Sequence, residues 1–242
     1  MFSNLKIIKL AEIDSTNDYA KEILHSQKEL LPFMVQASYQ TKGKGQYNKF
    51  WYSDNAKNLL CSLAFQIQNI RIEEQFVISQ IIAVSLYKVL QDYQLTAAIK
   101  WPNDIYVENK KIAGILIENS IISSRIESVI VGLGFNLNQT NFPKDLRNKA
   151  TSLSLITKKE FDIDEFVKKW IEKLQWAFSE NKEEIKEIYH TRLYQKDKFA
   201  HYKDAKNEFD GKILGVDNRG QLILQTLDGT VKYYMNNELL YL

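Results

Sequence analysis

The residues best placed to do chemistry lie in a loop rich in glycine and lysine, Gln40–Trp51, with the sequence Gln-Thr-Lys-Gly-Lys-Gly-Gln-Tyr-Asn-Lys-Phe-Trp. Glycine has no Cβ atom, so it lets a backbone approach a ligand closely. Exposed N–H groups in such a turn can bind an anion, and neighbouring lysines add positive charge. Two interpretations stay open: the loop folds over a phosphate or carboxylate, or it is a solvated basic hairpin loop.

Three other short segments combine polar residues with a break in regular structure. Asp14–Asn17 precedes a helical apolar spacing, and its side chains can cap a helix or bind a polar ligand at the helix N-terminus. Pro102 lacks an N–H group, so Lys100–Asp104 must interrupt a strand, and its Asn-Asp pair fits either a turn or a site. Gly132–Asn138 fits either a backbone next to a ligand or a tight β-turn.

Glycine is sparse in this chain, and its positions coincide with segments of this kind. Of nine glycines, five lie in the loop, in Lys111–Gly114 and in Gly132–Asn138, and the other four lie after residue 210. A chain this sparing with glycine is expected to place it where the backbone geometry demands it.

Length and composition exclude several classes of protein. The chain has 242 residues, 45% of them hydrophobic, which suits one large domain with or without a small companion. A net charge of +2 and only five arginines do not favour a nucleic-acid or membrane-surface partner. The single cysteine, Cys61, excludes an intramolecular disulfide and lies in an apolar run, which indicates a core residue. The histidines lack metal-ligand spacing, and no signal peptide or membrane span is present, so we expect a soluble, cytoplasmic protein.

Alternating β-type and helical patterns supply the elements that must position these segments. Strands are predicted at Ile7–Ile13, Phe33–Ala37, Leu59–Ile67, Ile112–Glu118 and Arg125–Gly134, with β-type runs on both sides of Pro102 and a tight turn at Lys110–Lys111. Helices are predicted after a cap at Ser15 with Asp18, over Glu73–Tyr93, over Asp162–Phe178, and after a cap at Asn181 with Glu184.

The character of the sequence changes near Leu193–Lys198. From there on, short alternating runs are split by turns such as Asp-Gly, and they predict a small β-barrel with strands at Phe209–Val216, Gln221–Gln225 and Val231–Tyr234. We therefore expect two domains, residues 1–195 and residues 196–242.

Five motifs in a fixed order resemble those of biotin–protein ligases. They are Ser15-Thr16-Asn17, the loop Gly43-Lys44-Gly45 closing at Trp51, Lys100-Trp101-Pro102-Asn103-Asp104, Lys111–Glu118, and Gly132–Asn138. The resemblance covers about Ile13 to Asn138, and Phe209–Leu239 is similar to the small SH3-like barrel of that family. It implies an α+β fold, with a mixed β-sheet packed with helices as in class II aminoacyl-tRNA synthetases and biotin ligases, followed by a C-terminal SH3-like β-barrel.

The resemblance also implies a reaction, that of a biotin–[acetyl-CoA-carboxylase] ligase. The carboxylate of biotin attacks the α-phosphate of ATP, which gives biotinyl-5′-AMP and pyrophosphate. A lysine amine of a biotin carboxyl carrier protein then attacks the mixed anhydride and expels AMP. Mg²⁺ would be carried mainly by the phosphates of ATP. Since the first motif begins at Ser15, we expect a short form without an N-terminal DNA-binding domain. A homodimer could pair through an edge strand near Arg125–Gly134.

Site residues follow from the resemblance motif by motif. The residues implied to bind biotin are Ser15, Thr16, Asn17, Gln40, Gly43, Lys44, Gly45, Gln46, Lys111, Gly114 and Gly132. Those implied to bind ATP or the adenylate are Lys44, Gln46, Trp51, Asn103, Lys111, Gly134 and Asn136, and glycines Gly114, Gly132 and Gly134 would leave room for ligand. The implied catalytic residues are Lys111, Lys44 and Asp104: Lys111 would stabilise the transition state at the carboxyl–phosphate junction, and Asp104 would accept a proton from the incoming lysine.

Two alternatives stay open. A lipoate or octanoate–protein ligase would be expected to carry an Arg-Arg-x-x-Gly-Gly-Gly type of run, which this sequence lacks. A non-catalytic biotin-binding module is the other, and the presence of Lys111, Asn103 and the glycine loop speaks against it.

The loop departs from the family pattern at several positions. The family commonly carries arginine where Lys44, Gln46 and Tyr47 stand, and often glycine where Asn48 stands. Lysine lacks the bidentate fork of arginine, and glutamine at position 46 removes a charge. The segment Met235–Leu239 lacks the glycine usual before its acidic residue, which leaves the role of the barrel open.

The missing charge at Gln46 predicts a looser hold on the adenylate. Gln46→Arg should therefore slow the dissociation of biotinyl-5′-AMP, because a guanidinium adds charge-assisted donors for the phosphate. The measurement is the dissociation rate of the labelled adenylate from the native protein and from the variant. Equal rates would refute the hypothesis.

Overall fold

A seven-stranded mixed sheet carries the predicted motifs. The computed structural model describes residues 1–27, 30–67 and 70–242. The strands are β1 Lys6–Ile13, β2 Phe33–Gln40, β3 Leu59–Gln66, β4 Ala97–Lys100, β5 Asp104–Val107, β6 Lys110–Ile122 and β7 Arg125–Phe135. Their order is β1-β2-β3-β7-β6-β5-β4, in which β1 and β2 are parallel and the other neighbours are antiparallel. The predicted α+β class with a mixed sheet is confirmed.

Helices cover both faces of this sheet. They are α1 Thr16–Ser26, α2 Phe76–Asp92, α3 Leu153–Thr157, α4 Ile163–Ser179 and α5 Lys182–Thr191. Along β2, Phe33 and Val35 belong to the cluster around α1, whereas Met34 belongs to the larger core that contains α2 and α4. Since successive strand residues point to opposite faces, α1 lies on one face and the other two helices on the opposite face. This two-sided burial explains why β3 is almost wholly apolar.

Two helix starts follow the predicted caps, at Ser15 and Asn181, and a third has a cap that was not predicted, at Asp162. The Ser15 hydroxyl accepts a hydrogen bond from the backbone N of Asp18 at 3.4 Å, which starts α1. Asp162 starts α4 in the same way, and the partner of the Asn181 cap is the N–H of Glu183 rather than of Glu184. The long helix α2 begins at Phe76, three residues later than predicted, because a short 3₁₀ turn occupies Ile72–Glu74. The short helix α3 was not predicted.

One detail of the strand predictions was wrong, and one open alternative is now decided. The tight turn before β6 lies at Glu108 and Asn109, which both have positive φ, and Lys110–Lys111 already belongs to the strand. A two-residue hairpin turn needs left-handed residues, and Asn tolerates that conformation well. Gly132 and Gly134 lie inside β7, so the β-turn interpretation of these glycines is excluded.

The predicted dimer edge was also wrong. β7 lies in the middle of the sheet, paired with β3 on one side and β6 on the other, so its backbone groups are already used within the sheet. The edges of this sheet are β1 and β4. Pairing across a dimer through Arg125–Gly134 would require the central ladder to open.

The C-terminal residues form a second, antiparallel sheet of five strands. They are β8 Phe199–Lys203, β9 Glu208–Val216, β10 Leu222–Thr226, β11 Val231–Tyr234 and β12 Leu240–Tyr241, in the order β11-β10-β9-β8-β12. The three predicted strands are confirmed, whereas β8 and β12 were missed. The pairings describe an open sheet rather than the predicted closed barrel, because β11 and β12 pair on one side each.

Both sheets share one hydrophobic core. Tyr202, Ile213 and Leu224 of the C-terminal sheet belong to the same cluster of buried residues as Ile99 and Tyr189 of the larger part. The predicted boundary at residues 195 and 196 is therefore crossed by continuous packing. Across the described ranges, every helix is too short or too polar to cross a lipid bilayer.

Candidate active site

The predicted motifs meet at one cavity. Its wall is formed by the N-terminus of α1, the loop Gln40–Trp51, and the glycine-bearing parts of β6 and β7, and it is lined by Ser15, Thr16, Asn17, Gln40, Lys44, Gly45, Gln46, Trp51, Cys61, Asn103, Lys111, Gly114, Ile115, Leu116, Gly132, Leu133 and Gly134. Three predicted site residues, Gly43, Asp104 and Asn136, do not line it. Thirteen of the residues expected from the sequence are therefore brought together.

A buried polar network fixes the side chains at the start of α1. The Ser62 hydroxyl lies 2.7 Å from Thr16 Oγ1 and 2.5 Å from Asn17 Oδ1. Thr16 donates to Gln40 Oε1 twice, from its backbone N at 2.7 Å and from its hydroxyl at 3.0 Å. Asn17 Nδ2 donates to Glu118 Oε2 at 2.8 Å. The cap function belongs to Ser15, and its two neighbours are held rigidly in the cavity wall.

Sequence reasoning missed two members of this network. Ser62 is fully buried on β3, and its hydroxyl is the polar side-chain group among apolar neighbours along the strand. A single hydroxyl in a strand that is buried on both faces indicates a buried polar network, because the hydroxyl needs a hydrogen-bond partner there. Glu118 was part of a motif but received no role, and the structure places it between Asn17 and Lys21, 2.7 Å from the Lys21 ammonium. Its carboxylate therefore fixes the amide orientation of Asn17.

The glycine-rich loop closes on itself. The Gly43 carbonyl accepts from the Trp51 N–H at 3.0 Å, and the Gly45 N–H donates to the Lys49 carbonyl at 2.6 Å. A Cβ on Gly43 would lie 3.0 Å from the Trp51 carbonyl oxygen, so the closure leaves little room for a side chain there. Gly43 thus supports the loop from outside the cavity, while Gly45 lines it.

Lysines of the loop pair with carboxylates beside α1. Lys42 Nζ lies 2.7 Å from Asp14, and Lys44 Nζ lies 2.5 Å from Asp18. The hydrogen bond from Lys42, helped by Thr41, lowers the pKa of Asp14, and the same bond raises the pKa of Lys42. Lys42 and Lys44 are therefore balanced by protein carboxylates in this structure.

Trp51 occupies the space above two glycines. A Cβ on Gly134 would lie 2.3 Å from Trp51 Cε2, and a Cβ on Gly114 would lie 2.9 Å from Trp51 Cζ3. Similarly, a Cβ on Gly132 would lie 2.3 Å from Asn17 Oδ1. The room that these glycines leave is taken by side chains of the protein itself. Trp51 Nε1 is buried and has no hydrogen-bond partner among the described residues.

Lys111 stands between the cavity and an acidic partner. Its ammonium lies 2.7 Å from Asp104 Oδ1 and 5.3 Å from the Trp51 ring centroid. Asp104 borders a second cavity, which adjoins the first and shares Gly45, Gln46, Trp51, Asn103 and Lys111 with it. The ion pair thus connects the two cavities and orients the Lys111 ammonium.

Lys100 adds positive charge to the second cavity. Its ammonium lies 4.4 Å from the ring centroid of Tyr241 and 5.0 Å from that of Tyr106. Burial lowers the pKa of Lys100, and the neighbouring Lys111 and Lys49 lower it further, while the Asp104 carboxylate raises it. The aromatic rings offset part of the cost of burial.

The two asparagines predicted to bind the adenylate, Asn103 and Asn136, donate hydrogen bonds to backbone carbonyls. Asn103 Nδ2 donates to the Ile115 carbonyl at 2.6 Å, which holds the break at Pro102 against β6. Asn136 is buried outside the cavity, and its Nδ2 donates to the Thr151 carbonyl at 3.0 Å. Its Oδ1 has no partner in the part of the chain that the structure describes.

Cys61 is almost fully buried although it lines the cavity, and burial raises the pKa of its thiol. The sequence interpretation as a core residue is confirmed. Among the described residues, no group of three or more His, Cys, Asp and Glu side chains could hold a metal ion.

Comparisons with known proteins converge on one family. The biotin/lipoate A/B protein ligase family matches residues 10–136. The bifunctional ligase/repressor BirA of Bacillus spizizenii is 30% identical over 236 residues, covering 92% of this chain and 70% of its own length. BirA of Bacillus subtilis is 29% identical over 212 residues, and this chain spans 64% of its length. The biotin protein ligase from Aquifex aeolicus in complex with biotin and ATP superposes with a TM-score of 0.79 at 24% identity, covering 98% of this chain and 99% of that one.

Gly134→Ala tests the packing of Trp51. The added methyl overlaps the indole, so we expect the free energy of unfolding to fall by about 1–3 kcal/mol in urea denaturation. Gly215→Ala is the matched control, because a Cβ there would meet its nearest neighbour, His190, at an ordinary 3.4 Å. A change for Gly134→Ala no larger than for this control would contradict the packing described here.

Proposed function

The chain belongs to the biotin/lipoate A/B protein ligase family, and we propose that it acts as a biotin–[acetyl-CoA-carboxylase] ligase. It activates biotin with ATP and transfers the biotinyl group to a lysine of a biotin carboxyl carrier protein. The observation that carries this proposal is the convergence of Ser15–Asn17, the glycine loop and Lys111 on one cavity. The reaction is proposed to take place in the cytoplasm.

The first step must bring two anions together. A carboxylate oxygen of biotin attacks the α-phosphorus of ATP, a P–O bond breaks, and pyrophosphate leaves. Mg²⁺ enters with the phosphates of ATP as part of the substrate, and the protein adds cations and N–H donors. Lys44 and Lys111 line the cavity, and Gly45 presents its backbone next to them. They supply the positive charge that the developing phosphorane needs.

Biotin occupies the end of the cavity near α1. Thr16, Asn17 and Gln40 are held there by the Ser62 network, so their polar atoms are fixed before the ligand arrives. Fixed donors and acceptors reduce the entropy that binding must offset. Gly114, Gly132 and Gly134 keep this floor free of Cβ atoms, and the adenylate displaces or stacks on the Trp51 indole.

In this proposal, Lys111 acts in the first step and Asp104 acts in the second. The Lys111 ammonium stabilises negative charge at the carboxyl–phosphate junction in the first step. In the second step, the acceptor amine attacks the carbonyl carbon of the mixed anhydride, the C–O bond to AMP breaks, and the amine loses a proton. We assign that proton to Asp104, and its position 2.7 Å from Lys111 at the border of the adjoining cavity supports this role.

The acceptor lysine enters through the adjoining cavity in this proposal. That cavity contacts Lys111 on one side and is bordered by Phe50 and Leu240, both more than half exposed, on its outer rim. A carrier domain can bring its lysine to the adenylate there without unfolding the glycine loop.

Lys111→Ala is the central test. A carrier domain is incubated with the protein, biotin, ATP and Mg²⁺, and its mass is measured for the addition of one biotinyl group. We expect the rate to fall by about 100-fold or more, because a charge that stabilises the transition state is lost. The matched control is Lys110→Ala, which removes the neighbouring lysine at the start of β6 and should keep near-native rates. No mass shift with the native protein would overturn the proposed function.

Comparing two acids separates the proposal from a lipoate ligase. ATP–pyrophosphate exchange should be driven by biotin and not by lipoate or octanoate, because the fixed amides and hydroxyls of the cavity suit a polar ureido ring. Exchange driven by lipoate alone would assign the alternative function. Biotin binding without any exchange would support a non-catalytic module.

A further inference from the structure

Gln46 stands between the two cavities and lines both of them. Its side-chain Oε1 accepts a hydrogen bond from Nδ2 of Asn236, at 2.7 Å. Asn236 lies 190 residues further along the chain, after β11 of the C-terminal sheet. The glycine loop is thus bonded to the C-terminal sheet at a residue of the cavity wall.

Three hydrogen bonds hold the turn that carries Asn236. This turn is closed by the Glu238 N–H on the Met235 carbonyl at 3.1 Å and by the Met235 N–H on Glu238 Oε2 at 2.6 Å. The hydroxyl of Tyr47, next to Gln46, donates to the Asn236 carbonyl at 3.2 Å. A residue fixed in this way can set the orientation of the group it contacts.

The bond from Asn236 decides which end of the Gln46 amide is available. A carboxamide has an acceptor oxygen and a donor nitrogen, and its neighbours decide which of the two faces which way. Here the oxygen is used by Asn236, and Gln46 Nε2 has no hydrogen-bond partner within residues 1–27, 30–47, 49–67 and 70–242. The free end of the side chain is therefore a donor.

A donor is the group that an anionic ligand requires. We propose that Asn236 is a positioning residue, which keeps the Gln46 amide turned so that its Nε2 donates to the phosphate of biotinyl-5′-AMP. This inference rests on the proposed function, since it takes the adenylate as the ligand. It assigns to the C-terminal sheet a defined part in retaining the intermediate until the acceptor lysine arrives.

A simple tether between loop and sheet would make a different prediction. Asn236→Asp keeps a hydrogen bond to Gln46, because its carboxylate accepts from Nε2. The amide must then reverse and present its oxygen to the ligand phosphate. A tether would survive this change, whereas the donor would be lost. Asn236→Ala removes the bond and leaves the amide free to turn either way.

The experiment measures how fast preformed, labelled biotinyl-5′-AMP leaves the full-length protein when an excess of unlabelled adenylate is added. We expect dissociation to be about tenfold faster or more for Asn236→Asp and about threefold faster for Asn236→Ala. Asn237→Asp is the control for added charge, because Asn237 borders the same cavity, whereas the hydrogen bond to Gln46 comes from Asn236. It should stay within about twofold of the native rate.

The possible outcomes distinguish a failure of the positioning role of Asn236 from a failure of the proposed ligase function. If the native protein forms no biotinyl-5′-AMP, the proposed function fails and the inference with it. If the native protein forms the adenylate but Asn236→Asp releases it at the native rate, only the positioning role is overturned. The same holds if Asn236→Asp and Asn237→Asp accelerate release equally, since added charge would then explain both. Circular dichroism confirms that each variant is folded.

Discussion

The register of β7 against its two neighbours is the constraint on which the cavity depends. Gly132 lies opposite Ser62 on β3, and Gly134 lies opposite Gly114 on β6. This alignment puts bare backbone beneath Trp51 and Asn17, and a polar hydroxyl at the same level of the sheet. A slip of one residue would turn each glycine to the face covered by α2 and α4 and fill the cavity floor with leucine or valine. The chemistry of the site is therefore set by strand pairing before any loop closes.

Charge compensation is the second theme of the site. Lys42, Lys44 and Lys111 each have a carboxylate partner, and two of these pairs are largely exposed to solvent. Exposed ion pairs contribute little to stability, so exchanging a carboxylate partner for a phosphate costs little. The Lys111–Asp104 pair is more shielded, so its attraction is screened less by the solvent. The ion pairs of the loop are thus easier to exchange, and the Lys111–Asp104 pair is better protected from solvent.

Local features of this molecule could be predicted from the sequence, whereas long-range pairings could not. The caps at Ser15 and Asn181, the break at Pro102 and the glycine loop follow from the preferences of a few neighbouring residues, and the structure has them where expected. The central place of β7, the Ser62 network and the bond to Asn236 depend on contacts between residues far apart in the chain. Strands β8 and β12 were missed because one alternates weakly and the other has two residues. The roles of the site residues were inferred from the motifs, and the structure shows which residues each motif contacts.

The hydrophobic core that the two sheets share determines how the protein unfolds. Tyr189 is fully buried and packs edge to face with Phe76, whose ring in turn lies against Gly220 of the C-terminal sheet, while the Trp101 indole donates to the Gly220 carbonyl at 2.9 Å. Detaching the last sheet would expose these rings to water, and the transfer of large aromatic side chains is costly. The two sheets should consequently melt together, as one cooperative unit, instead of in separate transitions. For protein engineering, the segment after α5 cannot be exchanged like an independent module, since any replacement must reproduce the apolar surface that the larger sheet leaves uncovered.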